Sequence, residues 1–307
     1  MKSAAKISVL FLSTLLLFSC GDTQKEDNTL ALSSVVSTSE STSVTPRNLS
    51  QEFKDYWYAG NAEITSYKLS QERYGELREG TSVNIFVTED FLPEVQVKAD
   101  RPSSNNIPVL KLNNTKKYLT GIYPYSVMTS SFTPVSEQRH ALKISHSMQE
   151  WCGHVYVQLN NRDGYELQGH SYFEGEADQN RKLPEVWLEN EIWNRIRINP
   201  TELPTGTFEM IPSLEFGRMS HKTLAPAEVS GTLSESDGIS TYTLAYPKLN
   251  RELSIQFKSA FPYTIEGWEE THPNGLTTTA KKLKQIKSAY WGQNSNKYEF
   301  LRDSLGL

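Results

Sequence analysis

The chain has 307 residues, 36 acidic against 31 basic, and a formal net charge of −5. That balance argues against a nucleic-acid partner, and two cysteines are too few for a disulfide framework. The length is enough to bury a substantial core without staples.

Lys2 and Lys6 precede an apolar run at 7–18 that is short for a bilayer span. It ends Leu17-Phe18-Ser19-Cys20, which resembles a bacterial lipobox. The resemblance implies a lipoprotein signal peptide at 1–19, acylation of Cys20 and a membrane reached through that lipid. Losing Lys2 and Lys6 leaves 29 basic against 36 acidic residues, a charge of −7. Cys152 then has no intrachain partner. Residues 20–46 include SSVVSTSESTSV and are expected to form a flexible Ser/Thr-rich tether behind the anchor.

A β-rich envelope domain is expected over 47–307. Ser50 caps a short helix with Phe53 and Trp57 on one face, and Gly60 stops it. Val83, Ile85 and Val87 alternate as in a strand, as do Leu142, Ile144 and Met148. A helix is expected over 184–198, with Pro184 in its first turn and Leu188, Ile192 and Ile196 as its apolar stripe. Its glutamates come early and its arginines late, as the helix dipole favours. It would join two β halves of similar style, about 47–182 and 200–307. Asp237-Gly238 and Asn274-Gly275 signal hairpins in the second half, and the tail YEFLRDSLGL reads as a short helix. The expected class is mainly β: large curved antiparallel sheets or a half-open barrel, with one or two helices packed on it.

Residues 149–178 hold the Asp163-Gly164 hairpin signal and Cys152. A two-residue turn there would set Tyr156 opposite Ser171 and Gln158 opposite Gly169. Cys152, His154, Tyr156 and Gln158 would then share one face with Ser171 and Phe173. That aromatic-polar face makes His154, Tyr156, Gln158, Ser171 and Phe173 the candidate ligand residues. Cys152 and His154 are a thiol–imidazole pair of the kind a thiol enzyme needs, although alternate strand residues lie roughly 6–7 Å apart.

His140, His146, His154 and His170 with Glu150 lack metal-site spacing, and no metal or other cofactor is expected. Glu174, Glu176 and Asp178 read as a solvated loop. Lys281, Lys282, Lys284 and Lys287 read as an edge strand guarded by charge.

The segments YWYAGNAEITSYKL, IFVTEDFLPEVQVKAD, TGIYPYSVMTSSFTPV, QEWCGHVYVQLNNRD, SYFEGEAD and SAYWGQNSN resemble a family of flavobacterial lipoproteins, from about residue 48 to the C-terminus. Some members carry the label "septum formation inhibitor Maf". The Ser-x-Ser-Pro-Arg-Arg motif of the Maf nucleotide pyrophosphatases is absent from this sequence, so no catalytic residues carry over. The second half also resembles exported β-proteins whose curved sheet folds back like a half-open barrel.

The expected role is non-catalytic: a lipid-anchored protein of the cell envelope, on the outer membrane, periplasmic or surface side. It would bind a hydrophobic or amphipathic ligand or an envelope protein. Two alternatives stand beside it: an envelope thiol enzyme or hydrolase using Cys152 and His154, and the septum-formation role that the label suggests.

Overall fold

The computed structural model describes residues 45–307, so Cys20, the expected signal peptide and nearly all of the expected tether lie outside the described residues. The first helix, α1 (Gln51–Trp57), is capped as its sequence predicts, with Ser50 Oγ accepting from the Phe53 N–H at 3.0 Å. Phe53 and Trp57 are buried on its inner face.

A first run of strands follows: β1 (Ala62–Arg73), β2 (Glu76–Leu92), the two-residue β3 (Val97–Lys98), β4 (Ile107–Thr120), β5 (Tyr123–Pro134), β6 (Lys143–Glu150), β7 (Gly153–Asn161), β8 (Tyr165–Ser171) and β9 (Gln179–Leu183). A second run comprises β10 (Trp187–Leu188), β11 (Gly206–Ile211), β12 (Ala227–Ser236), β13 (Ile239–Tyr246), β14 (Arg251–Lys258), β15 (Ile265–Thr271) and β16 (Thr277–Ser288). Helix α2 (Glu189–Ile198) follows β10, α3 (Leu214–Ser220) follows β11, and α4 (Phe300–Leu305) ends the chain.

Both runs belong to one sheet, because the first strand pairs with the last: Ile64 lies opposite Ile286 and Leu69 opposite Ala280. All neighbours are antiparallel except β10 and β11. The two ends of the sheet, β9 and β10, are not hydrogen-bonded to each other, so it remains open. They are nevertheless consecutive in the chain. The link 184–186 lets Leu183 and Trp187 lie at most about 14 Å apart at ~3.3–3.6 Å per residue. The sheet must therefore curl until its edges nearly meet. An apolar cluster bridges the gap: Leu159, Tyr165, Leu167 and Leu183 from one side pack with Leu188, Ile211 and Leu214 from the other.

This is the mainly β, half-open barrel that the sequence suggests. The expected helix at 184–198 is shorter than its pattern implies. Pro184 sits in the inter-edge link, and Trp187 and Leu188 pair with Met210 and Ile211 as a strand before α2 begins.

Helix α2 packs against the inner face of the curl, with Ile192 and Ile196 fully buried in the main core. Its charges are also buried, each with a strand or loop partner. Arg197 grips Glu63 of β1 through two bonds of 2.5 and 2.6 Å, and its guanidinium lies over the rings of Trp57 and Phe86. Glu191 accepts from the Ala141 N–H at 2.7 Å and is paired with His140 and Arg195. Asn194 donates to the Leu110 carbonyl at 2.6 Å and accepts from Ser131. These side chains fix the helix in the sheet through directed bonds as well as apolar contact.

The central hairpin departs from its expected register. Asn161 pairs with Tyr165, which leaves Arg162, Asp163 and Gly164 as a three-residue loop in which only Gly164 has positive φ, at +89°. At 237–238 both Asp237 and Gly238 have positive φ and the two-residue turn forms as expected. Burial accounts for the difference. The observed register sets Leu159 opposite Leu167, both buried, whereas the expected one would expose Leu167 and bury Gln168. Burying one leucine is worth about 1.5–3 kcal/mol.

The lysine-rich β16 is not an edge strand, since it pairs with β15 on one side and β1 on the other. Lys282 reaches Glu266 at 3.0 Å, and Lys287 lies 3.5 Å over the Tyr56 ring. Helix α4 forms as expected, and Leu305 packs on the outer face of the sheet against Ile64 and its neighbours.

Candidate functional site

Strand alternation decides which residues see the interior. On β4 and β5 the inward residues include Leu112, Asn114 and Lys116, with Thr129 and Ser131 opposite. On β14 and β15 they are Arg251, Leu253, Trp268 and Glu270. Between these walls, α2 contributes Glu189 and Trp193, and α3 contributes Glu215, Phe216 and Met219. Together they enclose a cavity of about 270 Å³.

Its apolar wall is aromatic. Trp193 meets Trp268 edge-to-face at 5.1 Å, with Phe216, Leu112 and Leu253 nearby on the lining. Its charged wall is an ion-pair network. Arg251 holds Glu189 through bonds of 2.6 and 2.7 Å and Glu270 through a third of 2.6 Å, while Tyr246 donates to Glu189. Burial pushes the Glu270 carboxyl up, but Arg251, His272 and Lys116 outweigh it and hold the group at about 2. Lys116 pairs separately with Glu215 at 2.8 Å.

The inner face also carries polar atoms with no partner in the protein: Thr65 Oγ1, Gln71 Oε1, Asn84 Nδ2, Tyr118 OH and His146 Nε2. Each unpaired buried group costs about 1–3 kcal/mol. His146, fully buried, bonds only Thr129 through Nδ1 at 2.9 Å. Burial, reinforced by Lys116 and Arg218, drives its imidazole down to about 3, so it is neutral at pH 7.

The cavity reaches the surface at one end of the half-barrel, beside Glu72, Pro273 and Asn274. Hairpin tips at that same end carry exposed apolar residues: Tyr74 and Leu77, Leu119 and Ile122 (83 % exposed), Trp151 (69 %) and Tyr172 (80 %). The tips touch one another, since Tyr123 stacks on Trp151 at 6.1 Å and Tyr172 packs against Gly153.

The sequence-derived candidates sit elsewhere. His154 and Tyr156 are exposed and Gln158 half-buried, and Tyr156 pairs with His170 on the outward face. Ser171 pairs with Val155 on the opposite, inward face, so the expected common face of Tyr156 and Ser171 does not form. Phe173 lies under the Arg218 guanidinium at 4.1 Å. Cys152 is exposed in the β6–β7 turn, and Glu150, which accepts from its backbone N–H at 2.6 Å, pushes the thiol pKa up. That shift works against thiolate formation.

The four histidines disperse: His140 to Glu191, His146 to the interior, His154 to solvent and His170 to Asp178. Among the described residues no three His, Cys, Asp or Glu side chains converge as metal ligands. In the acidic loop, Glu176 is structural, taking bonds from Ser171, Arg218 and His221.

Sequence reasoning missed the cavity because Gln71, Trp193, Phe216, Arg251 and Trp268 lie far apart in the chain. One local signal was present: KLNNTK in β4 places polar residues at inward positions. No family model matches the chain, and no curated protein or solved structure matches it.

Proposed function

We propose that this chain is a lipid-anchored protein of the cell envelope whose half-barrel binds a small amphipathic ligand without transforming it. The observation that carries the reading is the cavity itself: aromatic on one wall, ionic on the other, and lined by one buried amide oxygen, Gln71 Oε1, without a partner. A well-formed apolar pocket with a few convergent polar groups is the usual form of a ligand site. At about 270 Å³ it falls just below the ~300–1,000 Å³ of drug-sized sites. A molecule of a few rings or a short chain fits that volume, and a diacyl lipid does not.

The charged groups point to binding rather than chemistry. Arg251 is committed to Glu189 and Glu270 together, and Lys116 is held by Glu215. The membrane side of the proposal rests on the lipobox-like Leu17-Phe18-Ser19-Cys20 and on the apolar rim at the cavity mouth. Tryptophan and tyrosine at loop tips suit a bilayer interface.

The test uses the full chain, purified from membranes and held in nanodiscs. Native mass spectrometry and solvent extraction should recover a small molecule from the wild type and not from a Leu253→Trp variant that fills the cavity. An acyl mass on the Cys20 peptide is expected in the same preparation. A protein that yields no small molecule, and whose tryptophan emission is unmoved by any amphiphile, would overturn the ligand reading. An unmodified Cys20 would overturn the anchor.

A further inference from the structure

We infer that the cavity selects a cationic ligand: a protonated amine or quaternary ammonium on a small apolar body. This rests on the cavity being a ligand site, and it adds the charge of what enters.

Three independent features of the lining support it. The first is charge. Glu72, Glu189, Glu215 and Glu270 face only Lys116 and Arg251, an excess of two negative charges. A charged His272 would still leave an excess of one. A carboxylate or phosphate would add to that excess in a buried setting, where repulsion is poorly screened.

The second is a buried acceptor in need of a donor. Gln71 is 2 % exposed and lines the cavity, and its Oε1 has no partner. The orientation of this amide is fixed by its surroundings. One terminal atom lies 3.1 Å from the Glu72 carbonyl oxygen and 3.2 Å from Thr278 Oγ1. A carbonyl oxygen only accepts, so the atom beside it must be the NH₂, and the amide oxygen is the free end.

Thr278 is fixed in the same way. Its oxygen accepts from the Glu72 N–H at 2.9 Å and from Gln71, which commits its hydroxyl proton to His272 Nε2 at 2.8 Å. Gln71 therefore cannot satisfy Oε1 by rotating without losing both bonds.

The third is the pair of indoles. Trp193 and Trp268 stand perpendicular at 5.1 Å. Indole is the strongest of the side-chain π faces for a cation, and desolvation in a cavity strengthens the attraction. A protonated amine satisfies all three features at once. It supplies N–H to Gln71, offsets the carboxylate excess and leaves its apolar body to the aromatic wall.

The experiment compares three probes of one shape on the full chain in nanodiscs: phenethylamine, 2-phenylethanol and 3-phenylpropionate, read by tryptophan emission and calorimetry at pH 7. The amine should bind at least tenfold more tightly than the alcohol, and the carboxylate most weakly. Gln71→Leu should reduce the preference for the amine, as should Glu215→Gln, with both variants checked for an unchanged unfolding temperature. Equal binding of the three probes would overturn the charge selectivity while leaving the cavity a ligand site. Tightest binding of the carboxylate would reverse it. Binding of none would overturn both readings together.

Discussion

The Glu63–Arg197 pair decides whether α2 is fixed within the half-barrel, and Arg197→Met tests it. The guanidinium is 1 % exposed and the carboxylate 0 %, and they share bonds of 2.5 and 2.6 Å. Methionine keeps most of the contact with Trp57 and Phe86 but leaves Glu63 buried with only the Tyr56 hydroxyl. Breaking one side of a buried pair costs about 3–5 kcal/mol. The Pro262 carbonyl, which accepts from Arg197 at 2.9 Å, also loses its donor. In a domain of this size that loss lowers Tm by roughly 6–20 °C.

Acid should partly relieve the variant. In the wild type burial pushes Glu63 up, but Arg197 outweighs it and the carboxyl lies below its ordinary 4.5. Without Arg197 only the upward push of burial and the weaker influences of Tyr56 and Lys287 remain, so the folded carboxyl rises above 4.5. The folded state then takes up its proton before the unfolded state does, and the deficit shrinks as pH falls towards 4.5. Adding Glu63→Leu should restore most of the stability, since it removes the unpaired charge. Urea unfolding of the single and double variants at pH 7 and 4.5 gives the cycle. A single-variant loss under about 1 kcal/mol, the range of exposed pairs, would refute the buried pair and the seating of α2.

Three further predictions follow from particular side chains. His146 falls from 6.5 to about 3 on folding, so the unfolded chain takes a proton that the folded one refuses. Stability should therefore drop as pH falls from 6.5 towards 3, and urea titrations of His146→Asn should show a flatter slope between pH 6.5 and 5; an unchanged slope would exonerate His146. Tyr156→Ala, on the outward face, should cost no more than about 0.5 kcal/mol, whereas Leu167→Ala should cost about 2–5 kcal/mol. Reversal of that order would restore the two-residue turn at 163–164. Glu150→Gln should speed alkylation of the exposed Cys152 by iodoacetamide, because the carboxylate that raises its pKa is gone; an equal rate would remove Glu150 as the cause.

Local chemistry was legible in the sequence wherever neighbours in the chain settle the outcome. Ser50 capping α1 needs only Phe53 three residues on, and Asp237-Gly238 needs only its own φ angles. Alternation in β2 and β6 and the short terminal helix are of the same kind. These features establish a mainly antiparallel β chain.

Tertiary structure decided the rest, because the outcomes depend on energies shared between distant residues. The register at 163–164 turned on whether Leu167 or Gln168 would be buried, which is settled by packing against Leu188 and Ile211 across the gap. The charges of α2 fitted the helix dipole as surface residues would, yet they are buried because strand partners distant in the chain meet two of them: Glu63, 134 residues away, for Arg197, and Arg251, 62 residues away, for Glu189. The cavity has no local signature at all. It exists because one open sheet, joined where its first and last strands pair, curls around α2, and the polar and aromatic residues brought to that space come from distant parts of the chain.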